Sequence, residues 1–244
     1  MKRPSTVSIL NCGEIRFKGD SNWMPVQAFL IQTSDTNIVV DAGFHPEILT
    51  DTKGYLGILS TLIELKVTRE NLIDNQIKKH GLTVSDIDKV IYSHLHFDHS
   101  GGAVLFEGKM QELVQLEEFN FAQNPNFQFE YNKKDIDYAQ KFEKINGEFD
   151  LYGDGKIQLI QTPGHSIGHQ SIWIRDSESY DKLLLCDASY TVDQFMKRGQ
   201  SKYPHKKEQE ISSINRLHKM IEERRKPVLV YAGHDATPQI ISVK

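Results

Sequence analysis

The chain has 244 residues, 39% of them hydrophobic and 25% charged, and a formal net charge of −4, an ordinary balance with enough apolar material for a full core. The acidic balance speaks against nucleic acid as a partner, and the short basic stretches Lys206-Lys207 and Arg224-Arg225-Lys226, flanked by acids, read as solvated helix ends. No apolar run approaches the ~20 residues of a membrane span, and no apolar stretch backs Met1-Lys2-Arg3-Pro4 as a secretory leader would require.

In chain order, the first forty residues read as strands. Residues 28–31 and 38–40 flank the turn-rich Ser34-Asp35-Thr36-Asn37 and predict a hairpin. Val40-Asp41-Ala42-Gly43 then ends a strand in a glycine turn. The Leu- and Ile-rich residues 55–65 lead to a helix start at Thr68-Arg69-Glu70, with Leu72, Ile73 and Ile77 at helical spacing until Gly81. Ser85-Asp86-Ile87-Asp88 turns into a strand ending at Ser93. Residues 112–116 read as a strand, 120–132 as a loop or short helix, and 135–144 as a helix. Strands are expected at 157–161, 171–175 and 183–186. A helix over 208–226 carries the apolar stripe Ile211, Ile214, Leu217 and Ile221 and ends at Pro227, before a last strand at 228–231. Two packed sheets with helices outside suit this order.

Cys12 and Cys186 lie far apart without a Cys-x-x-Cys pattern, which predicts no disulfide framework and a reducing, cytoplasmic setting. Cys186, placed in an apolar strand, reads as a small buried side chain.

The run His94-Leu95-His96-Phe97-Asp98-His99 puts four metal-ligating side chains in one short loop. One ion cannot hold all four in comfortable geometry. Two ions side by side can, and such a pair makes a nucleophile at neutral pH and clamps both ends of an ester-like bond. Gly101 and Gly102 follow and are expected to let the chain turn tightly. Three more ligand types stand where an apolar strand meets a loop: His165 in Thr162-Pro163-Gly164-His165, Asp187 after Cys186, and His234 in Ala232-Gly233-His234. Imidazoles and carboxylates suit zinc, iron and similar ions. Because these residues run from 94 to 234, a single domain spanning 1–244 is expected.

Together with Met24-Pro25-Val26, Val40-Asp41-Ala42-Gly43, Gly168-His169-Gln170, Asp187-Ala188-Ser189-Tyr190-Thr191 and Gly233-His234-Asp235, this pattern resembles the metallo-β-lactamase superfamily, and most of all its N-acyl-homoserine lactonase branch. The resemblance runs from about residue 24 to residue 235 and implies an α/β fold, a four-layer αβ/βα sandwich with the site at one edge of the two sheets. It implies that His94, His96 and His165 hold a first metal, that Asp98, His99 and His234 hold a second, and that Asp187 and a hydroxide bridge them. Zinc is the metal implied, with iron, manganese and cobalt accepted by related enzymes. The implied reaction opens the lactone ring of an N-acyl-homoserine lactone, a small-molecule substrate, by attack of the bridging hydroxide. Tyr190 would donate to the oxyanion and Asp98 would pass a proton to the departing alkoxide. The purpose implied is the quenching of cell-to-cell signals by a monomer or homodimer. The alternatives are another lactonase, or a thioester hydrolase of the hydroxyacylglutathione type, on the same fold.

Other polar residues read more plainly. His45, His80, His205 and His218 are expected to be structural or exposed, with His218 edging the apolar helix face. His169 reads as a structural residue behind a ligand, and Asp235 as structural. Asp41 either caps its turn or accepts a hydrogen bond from a ligand imidazole. Residues 12–23, 55–65 and 120–132 are expected to line the pocket. Trp23, Phe29 and the aromatics between Phe119 and Tyr131 read first as core.

Overall fold

A computed structural model of the chain describes residues 5–108, 110–124, 129–176, 180–201, 204–224 and 226–242. The N-terminal Met1 to Pro4, Arg225 of the basic stretch and positions 125–128 of the third pocket segment lie outside the described residues. In chain order the first part holds β1 (Thr6–Phe17), β2 (Met24–Gln32), β3 (Asn37–Val40), α1 (Ile48–Leu56), β4 (Ile63–Lys66), α2 (Ile73–Lys78), β5 (Lys89–Ile91), α3 (Phe97–Ser100), β6 (Gln111–Gln115), α4 (Leu116–Ala122), α5 (Lys133–Ala139) and β7 (Glu143–Ile145). The second holds β8 (Phe149–Asp150), β9 (Ile157–Gln161), β10 (Gln170–Ile174), β11 (Asp181–Leu184), α6 (Val192–Met196), α7 (Lys207–Arg224), β12 (Val228–Ala232) and β13 (Asp235–Ile241).

Among the described residues the strands form a seven-stranded sheet, β4-β1-β2-β3-β5-β6-β7, and a six-stranded sheet, β13-β12-β11-β10-β9-β8. The period-two alternation of each strand sorts its side chains between two faces. In β2, Ala28 and Leu30 face the helices α1 to α5, while Phe29 and Ile31 face the other sheet. In β10, Ile172 and Ile174 join the core between the sheets, and Trp173 points out to α6 and α7. Three apolar layers therefore separate four structural layers, giving the αβ/βα sandwich. On α7 the residues Ile214, Leu217 and Ile221 are buried in the outer layer, while Ile211 is only half-buried. None of the described helices is long and apolar enough to cross a membrane.

The hairpin is present: β2 and β3 pair antiparallel with Gln32 opposite Asn37. Several boundaries differ from the sequence reading. Leu116 starts α4 rather than ending a strand. The helix expected over 135–144 stops at Ala139, and residues 143–145 form β7, parallel to β6. Cys186 lies past the end of β11 in a 3-10 turn, with a left-handed φ of 49°. Strand β13, antiparallel to β12, was not foreseen. Trp23 is half-exposed rather than core, its ring lying 4.4 Å from the Arg16 guanidinium and 3.9 Å from the Lys66 ammonium. Phe29, Phe119 and Tyr131 are buried, whereas Phe129 is 60% exposed.

The topology brings strand ends from both sheets to one edge. Parallel pairing of β3 with β5, and of β11 with β12, sends the chain out of the same side each time. Backbone bonds stitch the sheets there: Gln27 N–H donates to the Gly233 carbonyl (3.1 Å) and Gln170 N–H to the Ser93 carbonyl (2.9 Å).

Candidate metal centre

The histidine run leaves β5 after Ser93, and α3 begins at Phe97, so His94 and His96 lie in the connection while Asp98 and His99 ride the first turn of the helix. Gly101 and Gly102 do not turn the chain: neither has a positive φ. They are needed because the helix passes so close to the Asp41–His45 turn that a Cβ on Gly102 would lie 2.1 Å from the Ala42 carbonyl oxygen, and one on Gly101 2.5 Å from the His45 nitrogen. His165 follows β9, Asp187 follows β11 and His234 follows β12.

All seven of these side chains are buried, and their donor atoms converge in overlapping groups: His94, His96 and His165; His94, His99 and Asp187; Asp98, His99 and His234. His165 Nε2 lies 3.2 Å from His94 Nε2 and 3.1 Å from His96 Nδ1. Asp187 stands between the groups. Its Oδ2 is 3.4 Å from His165 Nε2 and 3.1 Å from His234 Nε2, and its Oδ1 is 3.4 Å from His99 Nε2.

The outer hydrogen bonds fix which ring nitrogen points inward. Asp41 Oδ1 accepts from Ser93 N–H (2.7 Å), and its Oδ2 accepts from the Ser93 hydroxyl (2.8 Å) and from His99 Nδ1–H (2.9 Å). With its own hydrogen spent on Asp41, Ser93 Oγ accepts from His94 Nδ1–H at 2.9 Å. His234 Nδ1–H donates to the Pro25 carbonyl at 2.8 Å. Each of these three histidines so presents Nε2 to the centre. Of the two sequence readings of Asp41, the structure shows the imidazole acceptor. The residue also takes the left-handed φ of 63°, which Asp tolerates better than most.

His169 is fully buried, yet its Nε2 accepts the backbone N–H of Asp187 at 3.1 Å. Its Nδ1–H therefore donates to Thr162 Oγ1 (2.8 Å), which bonds Ser171 Oγ (3.0 Å), which donates to the Leu185 carbonyl (3.0 Å). Neither ring nitrogen is left for an ion, so the structural reading stands. His218 stacks on Phe195 at 4.2 Å and donates to its carbonyl. His45 accepts the Glu47 N–H, and His80 and His205 are exposed. Asp235 caps neighbouring backbone, accepting from Val192 N–H and Thr237 N–H.

Burial, with the neighbouring imidazoles, pushes His94 and His96 well below the usual histidine range, and burial takes His165 down to about 4. Burial likewise lowers His169 to about 3. Burial opposes charge on His99 too, but the carboxylates of Asp187, Asp98 and Asp41 outweigh it and raise this group. Burial raises Asp98. Asp187 is held well below the carboxylate range in spite of its burial, by His234 and His99.

The Tyr190 ring lies edge-on between His165 (5.6 Å) and His234 (5.1 Å), held by the Tyr190 carbonyl accepting His234 N–H. Burial, then the Asp187 carboxylate, lifts its phenol well above the ordinary value, so it stays a donor. Three further residues lie nearby, of which Glu130 and Tyr131 fall in the expected pocket segment 120–132 and Glu118 escaped sequence reasoning. Glu130 Oε2 lies 3.4 Å from His96 Nε2, Tyr131 packs edge-on to His96 at 4.9 Å, and Glu118 is buried behind both loops. Tyr131 and Phe97, with Tyr55, Ile58, Leu59 and Phe129, line a cleft of about 420 Å³. The second and third expected pocket segments meet there. The first, 12–23, instead lines a different cleft through Arg16, Lys18 and Trp23.

The family model described as the metallo-beta-lactamase superfamily matches residues 21–234. The chain is 32% identical over 219 residues to the N-acyl homoserine lactonase AttM of Rhizobium radiobacter, covering 87% of this chain and 82% of that one. It is 34% identical, with the same coverage, to the N-acyl homoserine lactonase AiiA of Bacillus thuringiensis subsp. kurstaki. Among solved structures, an N-acyl homoserine lactone hydrolase with the product N-hexanoyl-L-homoserine at its catalytic metal centre superposes with a TM-score of 0.82 at 28% identity, covering 97% of this chain and 94% of that one.

Proposed function

The chain belongs to the metallo-beta-lactamase superfamily, and from that premise we propose that it is a metal-dependent hydrolase that opens the lactone ring of N-acyl homoserine lactones. The observation that carries the reading is the pair of donor groups, His94, His96 and His165 and Asp98, His99 and His234, with Asp187 standing between them, in a chain similar along most of its length to named lactonases.

The residues fit two divalent cations. His99 Nε2 and Asp187 Oδ1 are buried without a hydrogen-bond partner, a state that costs ~1–3 kcal/mol per group unless something satisfies it. Cations in the two groups would do so. In this reading His94, His96 and His165 would hold one ion and Asp98, His99 and His234 the other, with Asp187 available to both. The donor set suits zinc, with iron, manganese or cobalt as substitutes. When bound, such a pair supplies a nucleophile at neutral pH and polarises the carbonyl under attack.

The protein's own groups do the rest. Tyr190, kept protonated, donates a hydrogen bond to the carbonyl oxygen as it becomes an oxyanion. Asp98 takes the proton that the attacking water gives up and passes it to the ring oxygen as the bond from that oxygen to the carbonyl carbon breaks. Asp41 and Ser93 hold His99 and His94 in the tautomers that aim Nε2 inward. The apolar wall of Ile58, Leu59, Phe97 and Phe129 takes the acyl tail. Since both sheets furnish ligands, residues 1–244 act as one domain.

The test is proton release with a panel of short- and long-chain N-acyl homoserine lactones, γ-butyrolactone and a glutathione thioester. Opening of the acyl homoserine lactones, lost on metal removal and restored by zinc, is expected. Turnover of the thioester alone would replace the substrate class.

A further inference from the structure

The two loops that supply the first donor group are far apart in sequence, and one side chain touches both. Glu118, in the first turn of α4, is fully buried. Its Oε1 accepts from Leu95 N–H (3.0 Å) and from the Tyr131 hydroxyl (3.0 Å). Its Oε2 accepts from the Ser166 hydroxyl (2.8 Å) and Gly168 N–H (2.9 Å). Leu95 sits between His94 and His96, and Ser166 follows His165.

The loop around His165 has no slack against this contact. A Cβ on Gly168 would lie 2.3 Å from the Glu118 nitrogen, and on the other side a Cβ on Gly164 would lie 2.2 Å from the Glu210 nitrogen on α7. The loop is wedged between two helices, and its docking on α4 depends on the carboxylate. Two of the four donors are backbone N–H groups that cannot rotate away. An amide at 118 has one accepting oxygen, so it must turn its NH₂ against Leu95 N–H or Gly168 N–H. Only an anion satisfies both sides at once.

We infer that Glu118 is a positioning residue: it clips the His94–His96 segment to the His165 loop so that their three ring nitrogens converge, and it seats Tyr131 as the cleft wall beside them. The inference rests on the metal centre proposed above.

The experiment is stepwise titration of metal-free protein with Zn²⁺ against a chromogenic chelator, with a melting curve taken on each protein. The parent is expected to show two zinc affinities. Glu118→Gln should weaken one of them about 10–100-fold and spare the other, and the weakened step should be the one lost in His96→Ala. Ser166→Ala, which removes a single hydroxyl donor, should weaken the same step less. Parent-like affinities in Glu118→Gln, or equal weakening of both steps, would overturn the inference while leaving the metal centre in place. If Glu118→Gln does not fold, Ser166→Ala decides: a change confined to that step supports the clip, and parent affinities overturn it. A parent that binds no zinc removes the metal centre and the inference together.

Discussion

Asp41 and His99 meet at 2.9 Å, carboxylate Oδ2 to ring Nδ1, in a place where neither has access to water. One carboxylate thereby orients His99 directly and His94 through Ser93. Asp41→Asn tests this without disturbing the left-handed backbone, because Asn also accepts positive φ. The variant should fold, lose ~10–100-fold in metal affinity or activity, and recover part of its rate at high zinc concentration. Parent metal affinity in this variant would mean that the ligands orient themselves.

Tyr190, its ring edge-on between His165 and His234, is proposed to donate to substrate and not to hold metal. Tyr190→Phe should keep the parent metal content and lower kcat by ~10²–10³, the range for losing one aimed oxyanion donor. Undiminished kcat would remove Tyr190 from the reaction.

Asp187 is assigned to both donor groups, so its loss should be felt as missing metal. In Asp187→Asn the metal bound per chain, measured by elemental analysis after gel filtration, should fall. Retention of the full complement would contradict the bridging role.

Asp135 gives a pH signature away from the centre. It is buried, bonded to the Tyr55 hydroxyl, and its other oxygen has no partner; burial raises its pKa from 3.8 to about 7. The folded chain therefore holds this proton where the unfolded chain has released it, and folding stability falls as pH rises from about 4 to about 7. Asp135→Asn cannot lose a proton. Between pH 5 and pH 8 the parent should lose roughly 1–4 kcal/mol more stability than the variant, read from urea unfolding midpoints at the two pH values. Parallel losses in the two proteins would refute this.

The candidate donors were legible because chemistry concentrates in few residues: four side chains able to ligate a metal in His94 to His99, then His165, Asp187 and His234, each after an apolar strand. Two packed sheets with helices outside were legible from the order of strands and helices, with α7 marked by its apolar stripe, and the four-layer sandwich came from the family resemblance. What the sequence hid depends on long-range pairing. Glu143, Lys144 and Ile145 have a composition that suits a helix, and only the parallel contact with β6 makes them a strand. Strand β13 is a half-polar edge containing Pro238, without the apolar run that marks a buried strand. Glu118 is one acid among neighbours such as Glu117, and its role exists only once α4 lies against both loops. Asp41 had two readings until β3 and β5 were side by side. Gly101 and Gly102 suggested a turn because close approach of backbone leaves no trace in local sequence.

The central claim is tested most directly by adding zinc in known equivalents to metal-free protein and following the opening of N-hexanoyl homoserine lactone by proton release. The account predicts a negligible rate without metal and a rate that climbs until two zinc ions are bound per chain, then stays level. Full activity in the metal-free protein, or no lactone opening with two zinc ions bound, would contradict it.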